Sequence, residues 1–141
     1  RGRLAGGGDA LVVAVAGGAV GGRFDVVTGA ASVVFRMIES SINWRSRLTA
    51  IATGDQAIFI TRAAFAQVDG YPDLALMEDI EFSSLLRRQY KPACLRQTVT
   101  TSARRWLRGG VLRTVLQMWC LRAAWFCGVR SATLARWYGY R

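Results

Sequence analysis

Three of the nine acids in this 141-residue chain fall within four positions, as Glu78, Asp79 and Glu81 of the run Met77-Glu78-Asp79-Ile80-Glu81. Carboxylates at a helix start are stabilised by free backbone N–H groups and the positive end of the helix dipole, each by about 0.3–1 kcal/mol. Capping alone is the commoner use of such a pair. The same placement also lets a carboxylate take a proton from a bound hydroxyl, so Asp79, with Glu78 beside it, is the first candidate for general-base chemistry. A second group is Thr53-Gly54-Asp55-Gln56, a glycine turn entering a strand. Gly54 permits a sharp turn or close approach of backbone to a ligand, and Asp55 and Gln56 offer an acceptor and an amide to hydroxyls. The third is Ser102-Ala103-Arg104-Arg105-Trp106. The planar forks of Arg104 and Arg105 suit diphosphate oxygens, and Trp106 either stacks on a sugar or anchors the helix that follows.

Other chemistries are excluded by composition. The chain has no histidine, which removes every Ser-His or Cys-His nucleophile and leaves too few ligands for an ordinary zinc site. Cys94, Cys120 and Cys127 form no CxxC pair and are expected as buried thiols in a reducing compartment. The net charge of +10 is unevenly placed. Residues 1–81 carry seven arginines and all nine acids, whereas residues 82–141 carry eleven arginines, one lysine and no acid. A bias toward arginine codons explains Arg over Lys but not the missing acids. A region this basic calls for an anionic partner: a diphosphate, a nucleic acid or a lipid headgroup surface.

The elements that must position these groups alternate. The opening to Gly18 is rich in Gly and Ala, with Asp9 capping a short helix over 10–16 or Leu11–Val15 forming a buried strand. Residues 19–27 read as a strand with Arg23 and Asp25 on one face and Phe24 and Val26 on the other. From Ala31 to Thr49 the spacing is helical. Val34, Met37, Ile38, Ile42 and Leu48 share a face opposite Arg36, Glu39, Asn43 and Arg47. A short strand is expected over 56–61, a helix over 62–68 ended by Gly70 and Pro72, and a helix opened by Glu78 and Asp79 with Phe82, Leu85 and Leu86 inward. Residues 93–101 read as one or two strands. A last helix from about Trp106 to Cys127 carries a stripe of Leu112, Val115, Leu116, Trp119, Ala123 and Phe126. With its arginines and tryptophans this helix could lie on an acidic membrane surface, although packing against a core is the more ordinary use. No uncharged apolar run is long enough to span a bilayer, and the opening lacks the ordered regions of a signal peptide. Alternating strands and helices argue for an α/β layered domain, with a mixed sheet and flanking helices.

Taken together and in this order, the motifs resemble the second half of the family-two glycosyltransferases of GT-A fold. The resemblance rests on Gly54-Asp55-Gln56-Ala57-Ile58-Phe59-Ile60-Thr61-Arg62, Phe65, Gly70-Tyr71-Pro72, Glu78-Asp79-Ile80-Glu81-Phe82 and Leu86-Arg87-Arg88. It is closest to the subgroup associated with radical-SAM gene clusters, some members of which are named for arsenosugar biosynthesis, and it runs from about Ala19 to the C-terminus. It implies that Asp79 is the base that deprotonates an acceptor hydroxyl, with Glu78 helping to hold the acceptor. Gly54, Asp55 and Gln56 then line the acceptor site. Arg105 and Trp106 match a Gln-x-x-Arg-Trp segment near the donor diphosphate, although Ser102 stands where the glutamine would be. Asp69 replaces the first of two glycines usually found before the aromatic.

The family's first half, with a nucleotide-binding strand and an Asp-x-Asp that ligates a divalent metal, has no counterpart here, since Asp9 and Asp25 are isolated. The resemblance therefore implies a partial GT-A fold lacking the nucleotide-binding half, and no metal ligands of its own. Its divisions are an uncertain opening over 1–18, an acceptor-side part over 19–105 and an amphipathic helical segment over 106–141. In the complete enzyme Mg or Mn and a nucleotide-sugar donor would join a hydroxyl acceptor, in the cytoplasm or at the inner face of the membrane. A basic nucleic-acid-binding module ranks below this reading because the basic residues form no recognised binding motif. A non-catalytic remnant of the fold is the third possibility.

Overall fold

A computed structural model describes the backbone of residues 3–4 and 7–139, and the side chains of residues 7–104 and 106–139. Among these residues, strands β1 (Arg3–Leu4), β2 (Gly21–Thr28), β3 (Phe59–Ile60) and β4 (Ala93–Thr101) form one sheet in the order β1-β4-β2-β3. The helices are α1 (Gly7–Ala16), α2 (Val33–Thr49), α3 (Arg62–Gln67), α4 (Glu78–Gln89), α5 (Arg104–Gly109), α6 (Val111–Phe126) and α7 (Ser131–Tyr138). The protein is thus an α/β structure with a small mixed sheet and flanking helices. It divides into two compact units, residues 1–71 with 79–102, and residues 72–78 with 103–141.

In the first unit β2 runs parallel to β4 and antiparallel to β3, while β1 pairs antiparallel with β4. The β2–β4 register slips between Phe24 opposite Leu95 and Asp25 opposite Thr98, which leaves Arg96 and Gln97 as an exposed bulge. Gly22 sits where β2 meets both neighbours. A Cβ there would lie 2.1 Å from the Ala93 carbonyl oxygen, so only glycine lets the two backbones approach this closely. Both faces of β2 are buried, with Phe24 and Val26 on one side and Arg23 and Asp25 on the other.

Asp25 bonds to the Arg23 guanidinium and accepts from Arg47 Nη2 at 2.5 Å. The alternation expected for this strand holds. The outer face is closed by an ion-pair group because it is covered rather than solvated.

Helix α2 is turned from expectation: of the face read as inward, Val34, Met37 and Leu48 are exposed and Ile38 and Ile42 half-buried, while Glu39 and Asn43 from the opposite face are half-buried too. Val33, Met37, Trp44 and Leu48 are exposed, Leu48 at 75%, while Phe35 and Ser46 are buried. The reason lies in β2. Strand β3 pairs only with Gly21 and Gly22, so the backbone of Val26 and Thr28 lacks a strand partner on that edge. Asn43 supplies one, accepting from the Val26 N–H at 2.9 Å and donating to the Val26 carbonyl at 3.0 Å. Glu39 accepts from the Thr28 N–H at 2.5 Å and the Thr28 hydroxyl at 2.7 Å. A buried backbone group without a partner costs more than an exposed apolar side chain gains, so the polar stripe turns inward.

The strand expected over 56–61 is short, because residues 54–56 form a 3₁₀ turn and only Phe59–Ile60 pair. Helix α3 ends in a turn with both Asp69 (φ 61) and Gly70 (φ 74) left-handed, so Asp69 adopts a conformation that glycine takes more easily. Within the opening, residues 11–15 lie in helix α1 and do not form a strand.

In the second unit, the single helix expected over 106–127 is broken at Gly109–Gly110, with Gly110 at φ 78, and a further helix, α7, follows it. The stripe on α6 points outward. Leu112, Leu116, Trp119 and Phe126 are exposed, and Thr114 and Leu121 face inward. The core of this unit is small, drawing on Met77, Ala103, Leu121, Leu134 and Ala135. Ser131 pins residues 72–78, accepting from the Leu76 N–H and donating to the Leu76 carbonyl, both at 2.9 Å. The three cysteines are free, but only Cys94 is partly buried. Cys120 and Cys127 are exposed, because each lies on or beside the outward side of α6.

Candidate active site

Two of the three chemistry-bearing groups meet in the first unit. The Gly54 N–H donates to Asp79 Oδ2 at 2.8 Å across 25 residues of sequence, and the Ile80 N–H donates to Asp79 Oδ1 at 2.8 Å. Asp79 is half-buried, and Gly54 and Asp55 are exposed. A carboxylate has about four lone-pair directions, so these two bonds fix its plane and leave acceptor capacity for a further donor.

The fixing continues down α4. Ser83, one turn on, accepts from the Ala52 N–H at 3.1 Å and donates to the Ala52 carbonyl at 3.2 Å. Arg87, a further turn on, donates to the Thr49 carbonyl at 2.8 Å. Asp79, Ser83 and Arg87 thus recur every four residues and fasten α4 to the irregular segment 49–54. Ser83 and Arg87 were not singled out as candidate residues. Their four-residue spacing from Asp79 is visible in the sequence, but the unpaired backbone they serve is not.

The start of α4 is held from its other side by aromatic packing. Tyr71 stacks on the buried Phe82 ring with centroids 4.0 Å apart, and Phe65 sits 6.0 Å from Phe82. Gly70 belongs to the same contact, since a Cβ there would meet the Phe65 ring at 3.2 Å. Phe65, Gly70, Tyr71 and Phe82 therefore do structural work in placing Asp79. Met77, two residues before Asp79, holds a left-handed backbone at φ 70. That conformation costs roughly 1–2 kcal/mol for a residue with a Cβ.

Gln56 departs from its expected role. Its side chain is 0% exposed, and its amide is taken up inside the fold. Nε2 donates to Ser46 Oγ at 2.9 Å and Asn43 Oδ1 at 3.4 Å, and Oε1 accepts from the Thr53 N–H at 3.3 Å. It cannot offer that amide to a ligand. Gln56 ties the Gly54 turn to α2, and through Asn43 to the edge of β2.

Arg104, Arg105 and Trp106 open α5 in the second unit. Arg104 is exposed, Trp106 is half-buried, and the side chain of Arg105 lies outside the described residues. Glu78 is exposed. Among the described residues no group of three or more His, Cys, Asp or Glu side chains is arranged to hold a metal ion. An open depression of about 510 Å³ lies at the far end of α4, lined by Thr49, Arg87, Arg88, Tyr90 and Lys91 among others. It does not include Asp79, from which Gln89 is ten residues and roughly 15 Å along the helix. Among the described residues no helix is long and apolar enough to cross a membrane. Comparison with protein-family models, with curated proteins and with solved structures returns no match to this chain.

Proposed function

We propose that this chain is the acceptor-side part of an inverting glycosyltransferase that uses a nucleotide-diphosphate sugar, with Asp79 as general base. One observation carries the reading: the Asp79 carboxylate is oriented by the Gly54 N–H, joining two motifs that the sequence separates by 25 residues. The carboxylate keeps acceptor capacity beyond its two backbone bonds, which a base needs in order to receive the hydroxyl proton. In the proposed reaction the acceptor oxygen attacks the anomeric carbon of the donor while its proton passes to Asp79. The bond from the anomeric carbon to the diphosphate oxygen breaks, and the nucleoside diphosphate leaves with inversion. Glu78 and Asp55 are assigned to acceptor hydroxyls, and Arg105 and Trp106, on the strength of the resemblance, to contacts near the donor diphosphate. Gln56 has a structural role in this scheme. Among the described residues no side-chain group is arranged to hold a metal ion, so no step passes through one, and most nucleobase contacts are assigned to residues outside these 141.

Asp79→Asn removes the base while keeping one of its two backbone bonds. The asparagine carbonyl accepts from the Gly54 N–H, but its amide nitrogen cannot accept from the Ile80 N–H as Oδ1 does, so a small loss of stability is expected. In the complete transferase this variant should lower kcat by about 10²–10⁴, the usual contribution of a general base, with unchanged far-ultraviolet circular dichroism. Asp79→Ala should lose both rate and stability. Sugar-nucleotide turnover by Asp79→Asn at near wild-type rate would remove Asp79 from the role. The 141-residue chain alone should transfer little or no sugar, and robust transfer would locate the donor site within it.

A further inference from the structure

The outward side of α6 carries a second inference, independent of the enzyme reading. Over its 16 residues, successive positions advance by 100° around the axis. Phe126, Trp119, Leu112, Ala123 and Leu116 then fall in one continuous arc, and all five are exposed, Trp119 at 68%. Cys120 and Arg113, also exposed, border this arc on one side, and the half-buried Arg122 borders it on the other. The inward side is held by only two fully buried residues, Thr114 and Leu121. An apolar arc turned to water and bordered by arginines is the reverse of a helix packed on a core.

We infer that α6 lies in the plane of an anionic lipid surface, with this arc seated at the boundary between headgroups and acyl chains. Charge decides the occupant. Residues 82–141 contain eleven arginines, one lysine and no acid, so the helix and its neighbours in sequence contribute positive charge and no carboxylate. A second copy of a chain with net charge +10 would meet repulsion there, whereas an anionic bilayer attracts it. The arc holds Trp, Phe and Leu, side chains suited to the interface, which a nucleic-acid surface would leave wet. At 16 residues the helix is about 24 Å long and includes arginines, so it rests on the bilayer without crossing it. The apolar arc would enter by about 5–10 Å.

The test uses the whole 141-residue chain and sedimentation with vesicles. Vesicles of phosphatidylcholine mixed with phosphatidylglycerol should carry the protein down, and vesicles of phosphatidylcholine alone should bind it at least about tenfold more weakly. The double variant Leu116→Asp/Trp119→Asp should weaken binding to the mixed vesicles by at least about tenfold, with unchanged far-ultraviolet circular dichroism. As a second measurement, acyl chains brominated near the headgroup should quench the tryptophan emission of the unmodified protein. Equal binding by the double variant, or no quenching, would overturn the seating of the arc and leave only surface charge. Binding to single-stranded RNA with none to mixed vesicles would overturn the lipid assignment. So would a dimer that the double variant converts to monomer without any vesicle binding.

Discussion

Helices α2 and α6 both turn apolar side chains to water, and they do so for different reasons. In α2, inward Glu39 and Asn43 complete the open edge of β2, while Arg47 reaches the Asp25 carboxylate. The exposure of Met37, Trp44 and Leu48 follows from that polar requirement. In α6 the inward side holds Leu121 and Thr114, and the Thr114 hydroxyl donates to the Gly110 carbonyl at 2.8 Å within its own turn. The outward arc of α6 is bordered by arginines, and among the described residues its inward side completes no strand edge as that of α2 does. An exposed apolar stripe is therefore informative about partners only after the opposite side of its helix has been accounted for. By that standard α6, not α2, is the surface to test.

The sharpest way to break the comparison is to remove what α2 and β2 hold between them. Asp25→Ala leaves Arg23, buried at 2% exposure, without its counter-charge, and should cost about 3–5 kcal/mol in urea unfolding. A loss below about 1 kcal/mol would mean that the ion-pair group is not buried as described. Asn43→Leu strips partners from both backbone groups of Val26 and from Gln56, and should cost about 2–4 kcal/mol by the same measurement. Ser83→Ala removes the partner of both backbone groups of Ala52, with an expected loss of about 1–3 kcal/mol. The smallest effects sharpen the contrast. Met37→Lys on α2 and Leu112→Lys on α6 should each change stability by no more than about 0.5 kcal/mol, since both positions are exposed. Only the α6 change should reduce vesicle binding. A large loss of stability from Met37→Lys would show that α2 packs by its apolar side after all.

Much of the local structure was legible. Gly70 and Pro72 follow the end of α3 and Pro92 follows that of α4, as read, Phe82 and Leu86 face inward, and residues 93–101 form a strand. The meeting of Gly54 with Asp79 was suggested by motif order. Less legible was what each motif residue does. Gln56 reads as a ligand for hydroxyls because it follows the Gly54 turn with an amide to offer, yet that amide bonds to Ser46, Asn43 and Thr53. Nothing in a turn's own composition says which of its side chains will be drawn inward.

By itself the sequence determined the strand over the twenties, the helices that begin near Ala31, Arg62 and Glu78, the end of α3 before Gly70, and that all acids lie before residue 82. These follow from backbone sterics, spacing and charge, which are local properties. Only the tertiary structure decided which sides of α2 and α6 turn inward. That choice depends on whether the neighbouring surface offers apolar area or unpaired backbone. At β2 the answer was set by β3 stopping after Gly21 and Gly22, a pairing with residues 59–60 that no helical periodicity can record.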